Sequence, residues 1–131
     1  MRKIKAEIIK YSKMLNSRKL SALRSGNISA RYKEGFLITP SGKKYSSLKT
    51  KDIVFVSLEG KFDNKKGIPS SEWQFHQDIY KNKKEAEAIV HAHSTNATAV
   101  STHKRGIPSF HYMVAMAGGH DIKCAKYATF G

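Results

Sequence analysis

The sequence predicts a mixed α/β fold. Apolar residues recur at helical spacing near the start, and strand-like alternation broken by glycine turns follows, before further helix and strand segments. From Ile4 to Leu15, the residues Ile4, Ile8, Tyr11 and Leu15 fall at steps of four, three and four among lysines, which is one face of a helix. Ile9 and Met14 widen the stripe, and Asn16-Ser17 ends it. Ile28, Ala30 and Tyr32 then alternate after a turn at Gly26-Asn27, and Gly35 separates them from Phe36-Leu37-Ile38-Thr39, so the two runs read as a hairpin. Pro40-Ser41-Gly42 makes the next turn. The run Asp52 to Leu58 is mostly apolar and is expected to be a strand buried on both faces if central, with loop at Glu59-Gly60 and 63–67. Ser70 and Ser71 follow Pro69 in the N-cap region of an amphipathic helix, Glu72 to Asn82, in which His76 reads as a packed or surface histidine. Ala88 to His93 is an apolar strand, and Ser94 is expected to cap a helix from Thr95 to Thr102 with its small residues inward. The remainder, including 107–114, 117–120 and 124–131, reads as strand-like and turn-like pieces.

At 131 residues the chain suits one domain, and 40% hydrophobic residues suit a globular core. No apolar run approaches the ~20 residues of a membrane span, and Met1-Arg2-Lys3-Ile4-Lys5 is followed by charge instead of a signal core, so a cytoplasmic location is expected. Cys124 is the single cysteine, which excludes an intrachain disulfide. Lys and Arg number 24 against 10 Asp and Glu, for a net charge of +14, a field that attracts anions. The basic residues come in scattered pairs such as Lys43-Lys44, Lys65-Lys66, Lys83-Lys84 and Lys104-Arg105. No basic helix face forms, so nucleic acid is not the expected partner and a small anion is.

The chemistry concentrates at Val90-His91-Ala92-His93. Side chains two apart in a strand share a face, so His91 and His93 can hold one ion, and imidazole is the commonest zinc ligand. Glu72 adds a carboxylate. Three turns suit an anion: Gly26-Asn27, where backbone can approach closely; Ser41-Gly42, with a hydroxyl and a backbone N–H; and Ser70-Ser71 at a helix start.

Ser25-Gly26-Asn27-Ile28-Ser29, Ile38-Thr39-Pro40-Ser41-Gly42, Pro69-Ser70-Ser71-Glu72, Val90-His91-Ala92-His93 and Tyr127-Ala128-Thr129-Phe130-Gly131 together resemble the class II aldolase/adducin family. Order and spacing hold along nearly the whole chain, and the run from His111 to Gly119 resembles the aldolase branch. The resemblance implies a central, mostly antiparallel sheet flanked by helices in three layers. It implies zinc-dependent retro-aldol cleavage of a ketose 1-phosphate, with L-fuculose 1-phosphate giving dihydroxyacetone phosphate and L-lactaldehyde as the expected reaction, in a homotetramer. By position, His91 and His93 would bind zinc, and Glu72 would be the general acid/base and also touch the metal. Gly26, Asn27, Ser41, Gly42, Ser70 and Ser71 would cradle the phosphate. Tyr112 would reach a neighbouring subunit's site, and Phe130 would line the aldehyde end. The family's third zinc histidine sits in a His-His-Gly segment beyond the position of Gly131, ahead of C-terminal helices, and the 131 residues here hold neither. Arg24 stands where relatives carry a small polar residue. The alternatives within the fold are a sugar-phosphate epimerase or dehydratase, or an adducin-like interaction module with incomplete zinc ligation.

Overall fold

Burial on both faces makes β2 the centre of the sheet. In the computed structural model, which describes residues 1–22 and 25–129, strand β1 spans Asn27–Tyr32 and β2 spans Gly35–Ile38. They form the expected hairpin, antiparallel with Ser29 opposite Ile38 and Tyr32 opposite Gly35. Strand β3 (Val54–Ser57) pairs antiparallel with the other side of β2, and β4 (Ala88–His91) pairs antiparallel with β1, giving the order β3-β2-β1-β4.

Helix α1 (Arg2–Ser17) covers one face of this sheet. Its stripe of Ile8, Ile9 and Leu15 packs with Ile28, Leu37, Tyr45, Leu48 and Ile53. Helix α2 (Trp73–Asn82) belongs to the opposite face, where Tyr80 packs with Phe36, Ile38, Val54 and Val56. Strand alternation sorts the residues: Leu37 points to α1, while Phe36 and Ile38 point to α2. The layers are therefore helix, antiparallel sheet, helix. Arg31 ties α2 to the sheet, its guanidinium donating to the carbonyls of Ala86, Tyr80 and Lys83 and lying 4.7 Å over the Tyr80 ring. Those carbonyls flank the C-terminus of α2, where a cation is favoured.

The run from Asp52 to Leu58 differs from its expectation. Thr50–Asp52 is a 3-10 turn, the strand begins at Val54, and it is an edge strand with Phe55 38% exposed. Continuous hydrophobicity there reflects Ile53 facing α1 and Val54 and Val56 facing α2, while Phe55 meets Tyr32 edge-on at 6.3 Å. The strand buried on both faces is β2.

The chain divides into two compact units, residues 1–93 and 94–129. In the second, α3 (Thr95–Thr102) has Ser94 at its N-cap without a side-chain cap bond, and none of its residues is buried. Small residues do not make an inner face here. Ile107 and Ile122 form an antiparallel bridge, but 112–116, expected to be strand-like, is a short helix, α4 (Tyr112–Met116). The His111 ring accepts from the N–H of Met113 and so caps it, a local bond that the alternation count does not register. Among the described residues no helix is long and apolar enough to cross a membrane.

Candidate metal centre and anion cavity

Glycine brings the first turn against the end of β4. Gly26 has φ +78, and a Cβ there would stand 2.5 Å from the carbonyl oxygen of His91. Its own carbonyl accepts from the hydroxyl of Tyr45, a phenol that burial pushes above its ordinary pKa and so keeps protonated. The second and third turns are drawn together by backbone pairing, because Pro40 bridges Pro69, the Ser41 N–H donates to Ile68 and the Ser70 N–H donates to Thr39. As a result Gly26, Asn27, Ser41, Gly42, Ser70, Ser71, Glu72 and His93 line one cavity of about 350 Å³. Lys43 also lines it, held 2.6 Å from Asp52, whose carboxyl this bond keeps below the usual range. In sequence Lys43 is one of several scattered basic pairs, and only the fold places it at the cavity.

Ser70 and Ser71 do not cap α2 in the expected way. Glu72 occupies the N-cap position, and Ser70 Oγ accepts from the Glu72 N–H at 3.4 Å. The serines stand just ahead of the helix, so their hydroxyls remain at the cavity.

Strand pairing stops at His91, which is opposite Asn27, the first residue of β1. His93 therefore lies beyond the strand, and its N–H donates to Ser21 Oγ at 3.3 Å. The two imidazoles still converge, their ring centroids 4.6 Å apart, with the His91 ring held edge-on by Phe75 at 5.1 Å. Ligand atoms of Glu72, His91 and His93 all lie within 4.8 Å of one another. His91 Nδ1 is buried and, although 3.1 Å from Glu72 Oε2, has no aligned hydrogen bond. An orphaned imidazole nitrogen beside a carboxylate and a second imidazole is a donor set that a zinc-sized ion fits, since ~2.0–2.2 Å bonds in a tetrahedron place donors ~3.4 Å apart. Burial, and then the neighbouring His93, push the His91 pKa down against the pull of Glu72, so the ring is held in the neutral form that ligates.

Behind the carboxylate lies a buried polar chain that sequence reading did not anticipate. Asn27, 2% exposed, donates Nδ2–H to Glu72 Oε2 at 2.7 Å, and its Oδ1 meets Nε2 of His76. His76 Nδ1 is 2.7 Å from Ser29 Oγ, which is 2.8 Å from the Tyr80 hydroxyl. His76 is thus the packed histidine that was expected, though in a polar network and 0% exposed. The signal available in sequence was that Asn27, Ser29 and Arg31, which share one face of β1, are all polar. One N–H of the Asn27 amide and its Oδ1 are thus engaged within this chain.

Burial, with His91 nearby, pushes the His76 pKa down to about 3. The unfolded chain, with histidine near 6.5, binds one more proton than the folded chain between those values. Stability present above pH 6.5 is therefore lost as pH falls towards 3, at up to ~1.4 kcal/mol per pH unit from this group. Urea midpoints between pH 7 and 4.5 are expected to fall less steeply in His76→Gln, by about one proton; equal slopes would refute the assignment.

Tyr112 opens α4, in the second unit, and is 72% exposed. Phe130 and Arg24 lie outside the described residues.

Residues 6–131 match the family model described as Class II Aldolase and Adducin N-terminal domain. The chain is 50% identical over 107 residues to L-fuculose phosphate aldolase of Escherichia coli (strain K12), covering 82% of this chain and 49% of that protein. It is 46% identical over 129 residues to a 5-methylthioribulose-1-phosphate/5-deoxyribulose-1-phosphate aldolase of Escherichia coli O45:K1, covering 98% and 60%. A solved L-fuculose 1-phosphate aldolase superposes with a TM-score of 0.93 at 36% identity, over 99% of this chain and 62% of that one. The chain spans about half to three fifths of the length of these relatives.

Proposed function

Because the chain belongs to the class II aldolase and adducin family, we propose that it forms the metal- and phosphate-binding part of a zinc-dependent lyase that cleaves a ketose 1-phosphate. One observation carries this reading: the donor atoms of Glu72, His91 and His93 converge, and Glu72 and His93 share a cavity with three anion-friendly turns. The relatives' names differ in the sugar, with fuculose in one and methylthioribulose or deoxyribulose in another, and a 1-phosphate is named both for the latter and for the solved fuculose enzyme. L-Fuculose 1-phosphate is the substrate we favour, yielding dihydroxyacetone phosphate and L-lactaldehyde. In this reading the 131 residues are one domain of a cytoplasmic homotetramer, Tyr112 reaches a neighbouring subunit's site and Phe130 lines the aldehyde end.

Zinc held by Glu72, His91 and His93 would supply Lewis-acid polarisation of the ketose oxygens. The chain's own residues do the rest. Ser70, Ser71, Ser41 and the backbone at Gly26 and Gly42 hold the phosphate at the start of α2, where N–H groups and the helix dipole favour a dianion. That grip fixes the reacting carbons relative to Glu72. Glu72 Oε2 is anchored by Asn27, and Oε1 accepts no hydrogen bond among the described residues. Oε1 is therefore the oxygen that takes the substrate hydroxyl proton and returns it to the carbon released.

The test is formation of dihydroxyacetone phosphate from L-fuculose 1-phosphate and from 5-methylthioribulose 1-phosphate, alongside zinc-dependent binding of dihydroxyacetone phosphate itself. Cleavage or binding that is lost with a chelator is the expected result. A zinc-loaded chain that neither binds dihydroxyacetone phosphate nor cleaves either ketose would overturn the reading. Ser71→Ala is expected to weaken dihydroxyacetone phosphate binding about 10-fold even at high salt, since its hydroxyl acts at contact range. Lys65→Ala is expected to change it less than about 2-fold once ~0.15 M salt screens distant charge. Equal losses would place the affinity in the general field instead.

A further inference from the structure

The buried chain behind Glu72 has a single consistent assignment of protons. Glu72 Oε2 lies 2.7 Å from the Asn27 amide, and a carboxylate oxygen there demands a donor, so the NH₂ group faces Glu72 and Oδ1 faces His76. Oδ1 can only accept, so His76 carries its proton on Nε2. A neutral ring then leaves Nδ1 bare, and Ser29 donates to it at 2.7 Å. With its one proton committed, Ser29 accepts from the Tyr80 hydroxyl at 2.8 Å. The Tyr80 pKa, pushed up to about 12 by burial, agrees with a phenol that donates. The ring in the middle of this chain is packed among aromatics, with Phe75 stacked on it at 4.4 Å and Phe36 near-parallel at 6.5 Å.

We infer that His76 is a positioning residue for Glu72: its Nε2–H locks the Asn27 amide in the one orientation that donates to Oε2, and so fixes the carboxylate beside His91. The consequence of losing it follows from the geometry. Without a donor at Nε2, the Asn27 amide can reverse and set Oδ1 against the carboxylate, two acceptors 2.7 Å apart, which would push Glu72 away from the imidazoles. The relay reaches from the interior of α2 to its own N-cap by way of β1, so it couples the carboxylate to the sheet instead of to the first turn of its helix. The inference rests on the reading of Glu72 as part of the metal centre.

Nitrogen-detected magnetic resonance of the whole chain tests it directly. His76 is expected to show a protonated Nε2 and a bare Nδ1, with the Asn27 side-chain amide slow to exchange. The opposite tautomer would overturn the inference. His76→Phe is expected to shift the Asn27 amide signals and to lower zinc affinity about 10-fold or more, as loss of a ligand's orienting partner commonly does. Unchanged signals and affinity in a folded His76→Phe would also overturn it. A second pair guards against misfolding. His76→Gln, whose amide reaches the place of Nε2, should regain most of the affinity, while the shorter His76→Asn should not, and equal affinity in the two would refute the role. Should the unaltered chain bind no zinc, the function proposed above fails, and the tautomer measurement still decides the role of His76.

Discussion

Zinc affinity is expected to fall by about 100-fold or more when either His91 or His93 is replaced by alanine. The cluster offers three protein donors, and their ligand atoms already lie within 4.8 Å of one another. Removing one imidazole leaves a carboxylate and a single histidine, and a two-donor site of that kind holds zinc weakly in competition with water. A 100-fold loss corresponds to ~2.7 kcal/mol. Titration of the metal-free chain with zinc, with circular dichroism to confirm folding, reads the effect. His120→Ala, in the second unit, is the control and should change nothing. Full zinc binding by His91→Ala, or an equal loss in His120→Ala, would mean that the ion sits elsewhere.

Gly26→Ala should destabilise the fold by about 3 kcal/mol, from two sources that add. The left-handed φ of +78 costs an alanine ~1 kcal/mol, and the new methyl would stand 2.5 Å from the His91 carbonyl and 2.7 Å from Ser21 Oγ, an overpacking of ~1–3 kcal/mol. Gly42 is a matched control: its φ is +69, but a Cβ there meets nothing within 4 Å. Gly42→Ala should therefore cost only about 1 kcal/mol. Urea unfolding at pH 7 separates the two, and equal midpoints in both variants would show that contact with β4 is not what demands glycine at position 26. Because the clash falls on His91 itself, Gly26→Ala should also weaken zinc binding while Gly42→Ala should not.

What could be read from sequence was whatever depends on residues near one another in the chain. The four-three-four spacing of Ile4, Ile8, Tyr11 and Leu15 is a local property, and α1 forms where it indicates. The hairpin follows from alternation around Gly35, and His91 and His93 converge as their closeness in the chain suggested, although His93 lies beyond the strand whose alternation was to pair them. Three features were not legible. The edge position of β3 depends on which strand pairs with β2, which alternation does not encode. Lys43 reaches the cavity because Asp52 fixes it, and it looks in sequence like any exposed lysine. His76 and Ser29 are 47 residues apart, and their bond exists only because α2 packs on the sheet. The three turns were each recognised as suited to an anion, while their meeting depends on the Pro40–Pro69 bridge and on Gly26 lying against β4.

The bond from the His93 N–H to Ser21 Oγ spans 72 residues, and the Asn27–Glu72 bond spans 45. Closing a loop of the larger size costs ~4 kcal/mol of chain entropy beyond a constant, so these contacts form only once enough of the sheet exists to hold the ends together. During synthesis the complete donor cluster cannot assemble before His93 has emerged, although α1 and the β1–β2 hairpin can form earlier. An ion that needs all three donors therefore recognises the finished sheet. Its binding energy adds to the native state alone, so zinc would stabilise the whole unit of residues 1–93 by mass action and slow its unfolding without hastening its folding.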